Sequence, residues 1–137
     1  MQRCGFTGPD VSYAHGIHFN DEELKVLKEE GCSICHCPSS NMRLGSGIAR
    51  IRDMIDAGIN VSLAVDGSAS NDSSDMLGEV RSALMLQRVL GGASAMSVEE
   101  AFNIASAGGA AALNFPRCGR VETGYAADLA VFSLDSL

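Results

Sequence analysis

Three side chains that can exchange a proton or bind a metal follow three successive strand-like runs. His15 and His36 fall at or near the ends of the first two runs, and Asp66 follows the apolar run at residues 60–65. The carboxyl ends of parallel strands meet at one edge of a sheet, where loops gather substrate. Imidazole transfers protons near neutral pH, and a carboxylate binds hard cations or accepts a proton. The shared position at strand ends indicates acid–base chemistry, with Asp66 as either a metal-binding carboxylate or a loop cap, while each histidine alone could be structural.

The thiols offer a second candidate chemistry. Cys32, Cys35 and Cys37 crowd around His36 in a Cys-x-x-Cys-His-Cys run, while Cys118 stands alone downstream. In an extended strand successive side chains point to opposite faces, and a zinc ribbon needs a second cysteine pair, so we expect reduced, buried thiols. A thiol-based metal-binding or interaction module stays open as an alternative. A cytidine-type zinc deaminase is disfavoured because its His-x-Glu and Pro-Cys-x-x-Cys motifs are absent.

Helices alternate with the strand-like runs. Two capping boxes, Asn20 with Glu23 and Ser97 with Glu100, mark helix starts. The predicted strands cover residues 11–15, 32–37 and 60–65. The predicted helices cover about 21–30, 48–57, 77–90 and 98–107, with a further short helix to 114 and a loop at 39–47. Apolar spacing predicts that the second helix buries Ile48, Ile51 and Ile55 and that the third turns inward Leu77, Val80, Leu84 and Gln87. Strand–helix alternation predicts an α/β fold with a parallel sheet. The histidines and Asp66 are 21 and 30 residues apart, near the roughly 31 residues per unit of an eight-fold βα barrel, and a doubly wound sheet stays possible.

Composition excludes several classes of protein. The chain has 137 residues, with 17 acidic against 10 basic residues and a formal net charge of −7. No basic cluster is available to neutralise phosphates, so we expect neither nucleic acid nor an anionic membrane as a partner. No apolar run reaches the roughly 18 residues of a membrane span, and the N-terminus lacks a signal-peptide pattern. The sequence predicts one globular, cytoplasmic chain.

Four motifs in this order resemble the metal-dependent amidohydrolase superfamily, in its aminohydrolase branch. They are AHGIH at 14–18, HCPSSNMRLGSG at 36–47, VDGSASND at 65–72 and GRVETGYAADL at 119–129. Segments 66–74 and 79–88 look most like deaminases of an 8-oxoguanine-type purine, with hydroxyatrazine-type aminohydrolases next. The resemblance implies the C-terminal part of a (β/α)8 TIM barrel, strands six to eight with their helices, over residues 1–116. Residues 117–137 would then be a turn and a return strand, at about 126–132, that leads toward a small β-sandwich domain.

The resemblance also implies a reaction and an incomplete chain. Asp66 would be the metal ligand that also accepts a proton from the hydrolytic water, and His15 would polarise that water or the oxygen of the tetrahedral intermediate. The cofactor would be one divalent ion, zinc or alternatively iron. Family members carry a His-x-His pair on the first barrel strand and a His with a nearby Glu on the fifth, which this sequence lacks. We therefore expect a portion of a larger enzyme that is inactive alone.

Binding residues follow from the same resemblance. His36 and Asn41 would line the pocket near the substrate ring or stabilise its loop, and Ser68, Ser70 and Asn71 would shape the rim. The substrate would be a small amino-substituted heterocycle, with a triazine or another cyclic amidine as the alternative to a purine. The full-length enzyme is expected to be a homo-oligomer.

Overall fold

A parallel β-sheet of three strands organises residues 2–133, the part of the chain that the computed structural model describes. The strands lie in the order β1 (Ser12–Ala14), β2 (Ser33–His36) and β3 (Asn60–Leu63). Both neighbouring pairs are parallel, with Ala14 opposite Cys35 and His36 opposite Leu63. The three C-terminal ends therefore reach the same edge of the sheet, which confirms the predicted α/β class with parallel strands.

Helices connect and cover the strands. After a short 3-10 helix at Gln2–Cys4, the described α-helices are α1 (Asp21–Glu29), α2 (Pro38–Leu44), α3 (Ile51–Asp56), α4 (Met76–Gly91), α5 (Val98–Ala105) and α6 (Ala107–Ala112). Both predicted capping boxes are confirmed. Asn20 Oδ1 accepts from Glu23 N at 2.9 Å, and Ser97 Oγ accepts from Glu100 N at 3.1 Å. These side chains satisfy donors that the first helical turn leaves unpaired.

The predicted loop at residues 39–47 is wrong, because α2 occupies most of it. Pro38 fits the first position of this helix, where its fixed φ is helical and its missing N–H costs no hydrogen bond. Gly45 ends α2 at a φ of 64°, in the left-handed region. The buried stripe of α3 also differs from the prediction, since Ile51 and Met54 are buried while Ile48 lies outside the helix.

The hydrophobic core lies where β2 and β3 meet four of the helices. Its members are Leu24, Leu27, Cys32, Ile34, Ala49, Ile51, Met54, Ile59, Val61, Leu63, Val80, Ala83, Met96, Ala101 and Ile104. On α4 the prediction was partly wrong, because Leu77 is 47% exposed while Ala83 is buried. Helix α6 lies so close to β3 that a side chain at Gly108 would overlap the Val61 carbonyl oxygen.

The tail after α6 contains turns and no strand within residues 117–133. A return strand was predicted at about 126–132. A strand needs a ladder of hydrogen bonds to a neighbouring strand, and the sheet in the described residues consists of β1, β2 and β3. Residues 134–137 of the predicted second segment lie outside the described part. The boundary between 116 and 117 stays a prediction. Within the described residues, no helix has the length and apolar character needed to cross a membrane.

Candidate active site

His15 and Asp66 face each other at the C-terminal edge of the sheet. His15 directly follows β1, and its N–H continues the ladder to Cys35 O at 2.8 Å. Asp66 lies three residues beyond β3. Both residues have positive φ values, 67° for His15 and 65° for Asp66. Residues other than glycine adopt such backbone conformations at an energetic cost. His15 Nε2 lies 3.8 Å from Asp66 Oδ2, and each side chain is about one-third exposed.

Two hydroxyl groups hold the Asp66 carboxylate. Ser40 Oγ donates to Asp66 Oδ2 at 2.6 Å, and Ser70 Oγ donates to the same oxygen at 2.8 Å. The Ser40 hydrogen bond is the main reason that the pKa of Asp66 falls to about 2, with the Gly67 backbone, Ser70 and the charge of His15 contributing. Hydrogen bonds to an ionised carboxylate favour that form over the neutral acid. Asp66 is therefore an anion throughout the neutral range.

Helix α2 orients the His15 ring. Asn41, which is 1% exposed, places its Oδ1 2.8 Å from His15 Nδ1. In this orientation of the amide Nδ1 is the donor, so the second ring nitrogen, Nε2, is left toward Asp66. When the His15 ring is uncharged, its Nε2 and the Asp66 carboxylate, 3.8 Å apart, present two acceptors to the same space. Such a pair can share a proton or hold a cation between its members.

The predicted binding residues lie in different environments. Ser68 is exposed on the loop after β3, and Ser70 contacts Asp66 directly. His36 is fully buried, and neither ring nitrogen has a hydrogen-bond partner within the described chain. Burial, with a smaller effect of the charge of His15, lowers the pKa of His36 to about 4. Asn71 is also buried, and its amide binds a side chain of α4 rather than facing the rim.

Sequence reasoning missed two residues that contact the site or its supports. Ser40 donates the shortest hydrogen bond to Asp66, and Glu79 accepts hydrogen bonds from Ser39 N and Asn71 Nδ2. No sequence signal distinguishes Ser40 from its neighbours. Glu79 had a signal, because it lies one residue before the inward-facing Val80 and is thus near the buried face of α4.

A cleft of about 490 Å³ flanks His15 on the side of the loop after β1. Ile17 and Phe19 supply apolar walls, while His18, Glu23 and Ser46 add polar groups. The volume suits a small ligand, since ligand pockets commonly measure about 300–1,000 Å³. Asp66 does not line this cleft, whereas His15 both lines the cleft and lies 3.8 Å from the Asp66 carboxylate.

The cysteines do not form a metal site in the described chain. All five are free thiols, and Cys32 packs in the hydrophobic core as predicted. A hydrogen bond from the Cys37 thiol is the main factor that lowers the pKa of Cys35 to about 6, while the same contact and burial raise the pKa of Cys37. The two thiols therefore interact with each other and lie near His15.

The donor set fits part of a catalytic metal centre. Among residues 2–133, no group of three His, Cys, Asp or Glu side chains could hold a metal ion. Catalytic zinc takes about three protein ligands and a water. An ionised carboxylate at Asp66, with the lone pair of His15 Nε2 beside it, fits one side of such a centre. Further ligands would have to come from outside these residues.

The full length of the chain, residues 1–137, matches the profile of the Amidohydrolase family. The chain belongs to the amidohydrolase family. Among curated relatives of this amidohydrolase, 8-oxoguanine deaminase of Pseudomonas aeruginosa is 50% identical over 137 residues, which are 100% of this chain and 30% of the relative. The 5-methylthioadenosine/S-adenosylhomocysteine deaminase of Haloarcula marismortui is 44% identical over 96% of this chain and 31% of its own length.

A solved structure agrees with the fold of this amidohydrolase. An adenosine deaminase from Xanthomonas campestris with bound zinc superposes with a TM-score of 0.89 at 34% identity. The match covers 93% of this chain and 29% of that one. The chain thus spans about 30% of the length of the relatives that it matches.

Proposed function

We propose that this amidohydrolase chain forms the acid–base part of an enzyme that hydrolytically deaminates an amino-substituted purine of the 8-oxoguanine type. The observation that carries the proposal is the ionised Asp66 carboxylate, fixed by two hydroxyls and facing His15 Nε2 at 3.8 Å. The similarity to 8-oxoguanine deaminase supports the substrate class. A 5-methylthioadenosine-type substrate is the second candidate, supported by the similarity to the Haloarcula marismortui enzyme.

The wider fold is part of the same proposal. Strands β1, β2 and β3 would be strands six, seven and eight of a (β/α)8 barrel, and residues 117–137 would lead toward a small β-sandwich. The parallel order and the shared edge of the three strands support this assignment. In such barrels the C-terminal edge carries the active site, which is where His15 and Asp66 lie.

In the proposed reaction, water attacks the ring carbon that bears the amino group, and ammonia leaves. Asp66 would accept the proton of the attacking water and pass it toward the leaving nitrogen. His15, held by Asn41 through Nδ1, would stabilise the oxygen as negative charge develops on it, using as donor a proton on Nε2 that the His15–Asp66 pair shares. Asp66 would also be one ligand of a divalent ion, which acts as a Lewis acid and lowers the pKa of water when bound.

The test is ammonia release from 8-oxoguanine by the intact protein and by Asp66→Asn. We expect the variant to lose at least ~100-fold in kcat, a typical contribution of a positioned proton acceptor. Asp72→Asn is the matched control, since Asp72 lies in the same loop but contacts Arg43 at 2.8 Å. It should retain activity within about threefold, because an exposed ion pair contributes little. Wild-type turnover by Asp66→Asn would remove Asp66 from its role, and 5'-methylthioadenosine turnover without 8-oxoguanine turnover would select the second substrate.

A further inference from the structure

A buried carboxylate outside the candidate pair joins the two segments that hold the pair. Glu79 on α4 is 1% exposed. Its Oε1 accepts from Asn71 Nδ2 at 2.8 Å, and its Oε2 accepts from Ser39 N at 3.1 Å. Burial of a carboxylate is unfavourable unless hydrogen bonds compensate for lost water, and here each oxygen has a donor. Glu79 therefore links α4 to the start of α2 and to the loop after β3.

The hydrogen bond from Ser39 N makes Glu79 a cap for α2. Cys37, the residue before this helix, provides no side-chain cap, and Pro38 has no N–H. The Ser39 N–H is thus a donor that its own helix leaves unpaired, and the Glu79 carboxylate accepts it from a distant part of the chain. The two residues that follow Ser39 in the sequence are those that bond Asp66 and His15.

The hydrogen bond from Asn71 Nδ2 anchors the loop that carries Asp66. Asn71 Oδ1 accepts from Ser73 N at 3.3 Å and from Ser73 Oγ at 2.8 Å, which fixes the amide so that Nδ2 faces Glu79. The backbone N–H of Asn71 donates to Gly67 O at 2.9 Å. Asn71 is therefore held at both its backbone and its side chain. The loop beginning at Asp66 is fixed to α4 through this amide.

We propose that Glu79 is a positioning residue for deamination. It sets the spacing between α2 and the loop after β3, and through them the 3.8 Å approach of His15 to Asp66. Glu79 acts through Ser39 and Asn71 and needs no contact with substrate. The inference rests on the proposed deaminase activity, and it assigns to α4 a function in that activity.

Glu79→Gln tests the two hydrogen bonds of Glu79 with little change in side-chain shape. A glutamine has one acceptor oxygen and one donor nitrogen, so it cannot accept from both Ser39 N and Asn71 Nδ2. Whichever way the new amide turns, its nitrogen faces another donor, either Ser39 N or Asn71 Nδ2. Adding Asn71→Asp resolves the conflict, because the amide can then accept from Ser39 N and donate to the new carboxylate. That carboxylate still has an oxygen to accept from Ser73.

The experiment compares steady-state deamination of 8-oxoguanine by the intact protein, Glu79→Gln and the double variant. We expect Glu79→Gln to lower kcat by about 10- to 100-fold with KM within about threefold, because small misplacement of reacting groups is costly while binding contacts persist. The double variant should recover kcat to within about fivefold of wild type. Hydrogen exchange gives a readout independent of turnover: amides of residues 39–45 and 66–74 should exchange faster in Glu79→Gln and return toward wild type in the double variant.

Gln87→Glu is the matched control for a mismatch on the same helix. Gln87 is 2% exposed, accepts from Arg52 N at 3.2 Å and donates to Ala49 O at 3.1 Å. A carboxylate there cannot donate to Ala49 O, so the control should lose stability with kcat within about threefold of wild type.

The outcomes separate the two proposals. If the wild type deaminates the substrate and Glu79→Gln has the same kcat, the positioning role is overturned. An equal fall of kcat in Gln87→Glu, or no recovery in the double variant, overturns it as well, because the effect is then general destabilisation. If the wild type turns over neither 8-oxoguanine nor 5'-methylthioadenosine, the proposed function fails. Hydrogen exchange alone then tests whether Glu79 holds α2 and the loop after β3. Unchanged exchange in Glu79→Gln overturns this role.

Discussion

Acid should destabilise this protein through one buried side chain, His36. Its ring is fully buried, and neither nitrogen has a hydrogen-bond partner within the described chain. Burial disfavours the charged ring and lowers its pKa from 6.5 to about 4, with a further contribution from the charge of His15. The unfolded chain therefore takes up the proton first as pH falls. Stability from neutral His36 is present above about pH 6.5 and is lost progressively down to about pH 4.

The size of the effect follows from the two pKa values. A histidine with an unfolded-state pKa of about 6.5 and a folded-state pKa of about 4 changes the free energy of unfolding by about 3 kcal/mol once both states are protonated. Between about pH 7 and about pH 4.5 the expected loss is about 2 kcal/mol. This loss is a substantial fraction of the stability of a typical domain.

Urea denaturation of the intact protein at these two pH values measures the loss, and His36→Leu isolates its source. The leucine cannot take up a proton and leaves no unpartnered polar atom in the core, so about 2 kcal/mol of the pH dependence should disappear. The contributions of the other titrating groups to the pH dependence cancel in the difference between wild type and His36→Leu. His18→Gln is the control, because His18 is exposed and its replacement should leave the wild-type pH dependence. An identical pH dependence in wild type and His36→Leu would refute the reasoning, because the ring would then take up a proton equally well in the folded and the unfolded chain.

Two further substitutions test the packing and the electrostatics of the site. Gly108→Ala should lower the free energy of unfolding by about 2 kcal/mol or more, because the new methyl group overlaps the Val61 carbonyl oxygen. Gly109→Ala, one residue later in α6 and open to space, should be neutral or slightly stabilising in the same denaturation assay. Ser40→Ala should raise the pKa of Asp66 from about 2 toward its ordinary value, as followed by carboxyl NMR shifts. Ser39→Ala is its control, and an unmoved Asp66 pKa in Ser40→Ala would assign the shift to another donor.

The sequence determined the elements that local rules govern. Alternating strands and helices predicted the parallel sheet, and two capping boxes predicted the starts of α1 and α5. These features depend on residues within one or two turns of each other, so their signals survive in the linear chain. The position of His15 and Asp66 at the ends of strand runs was also readable, because parallel strands bring their C-terminal ends to one edge.

Local rules failed where distant contacts decide. Helix α2 looked like a loop because its serines and asparagine are poor helix formers, and its cap comes from Glu79, 40 residues away along the chain. The exposure of Leu77 likewise depends on which side of α4 meets the core.

Only the tertiary structure decided how the site is held. The sequence predicted that His15 and Asp66 share an edge, but their 3.8 Å approach depends on Asn41 and Ser40, which reach them from α2. Side-chain hydrogen bonds across 26 residues leave no periodic trace in a sequence. Chemistry could therefore be assigned from residue type and strand position, whereas geometry, ionisation and support required the fold, since they are set by atoms that meet only after folding.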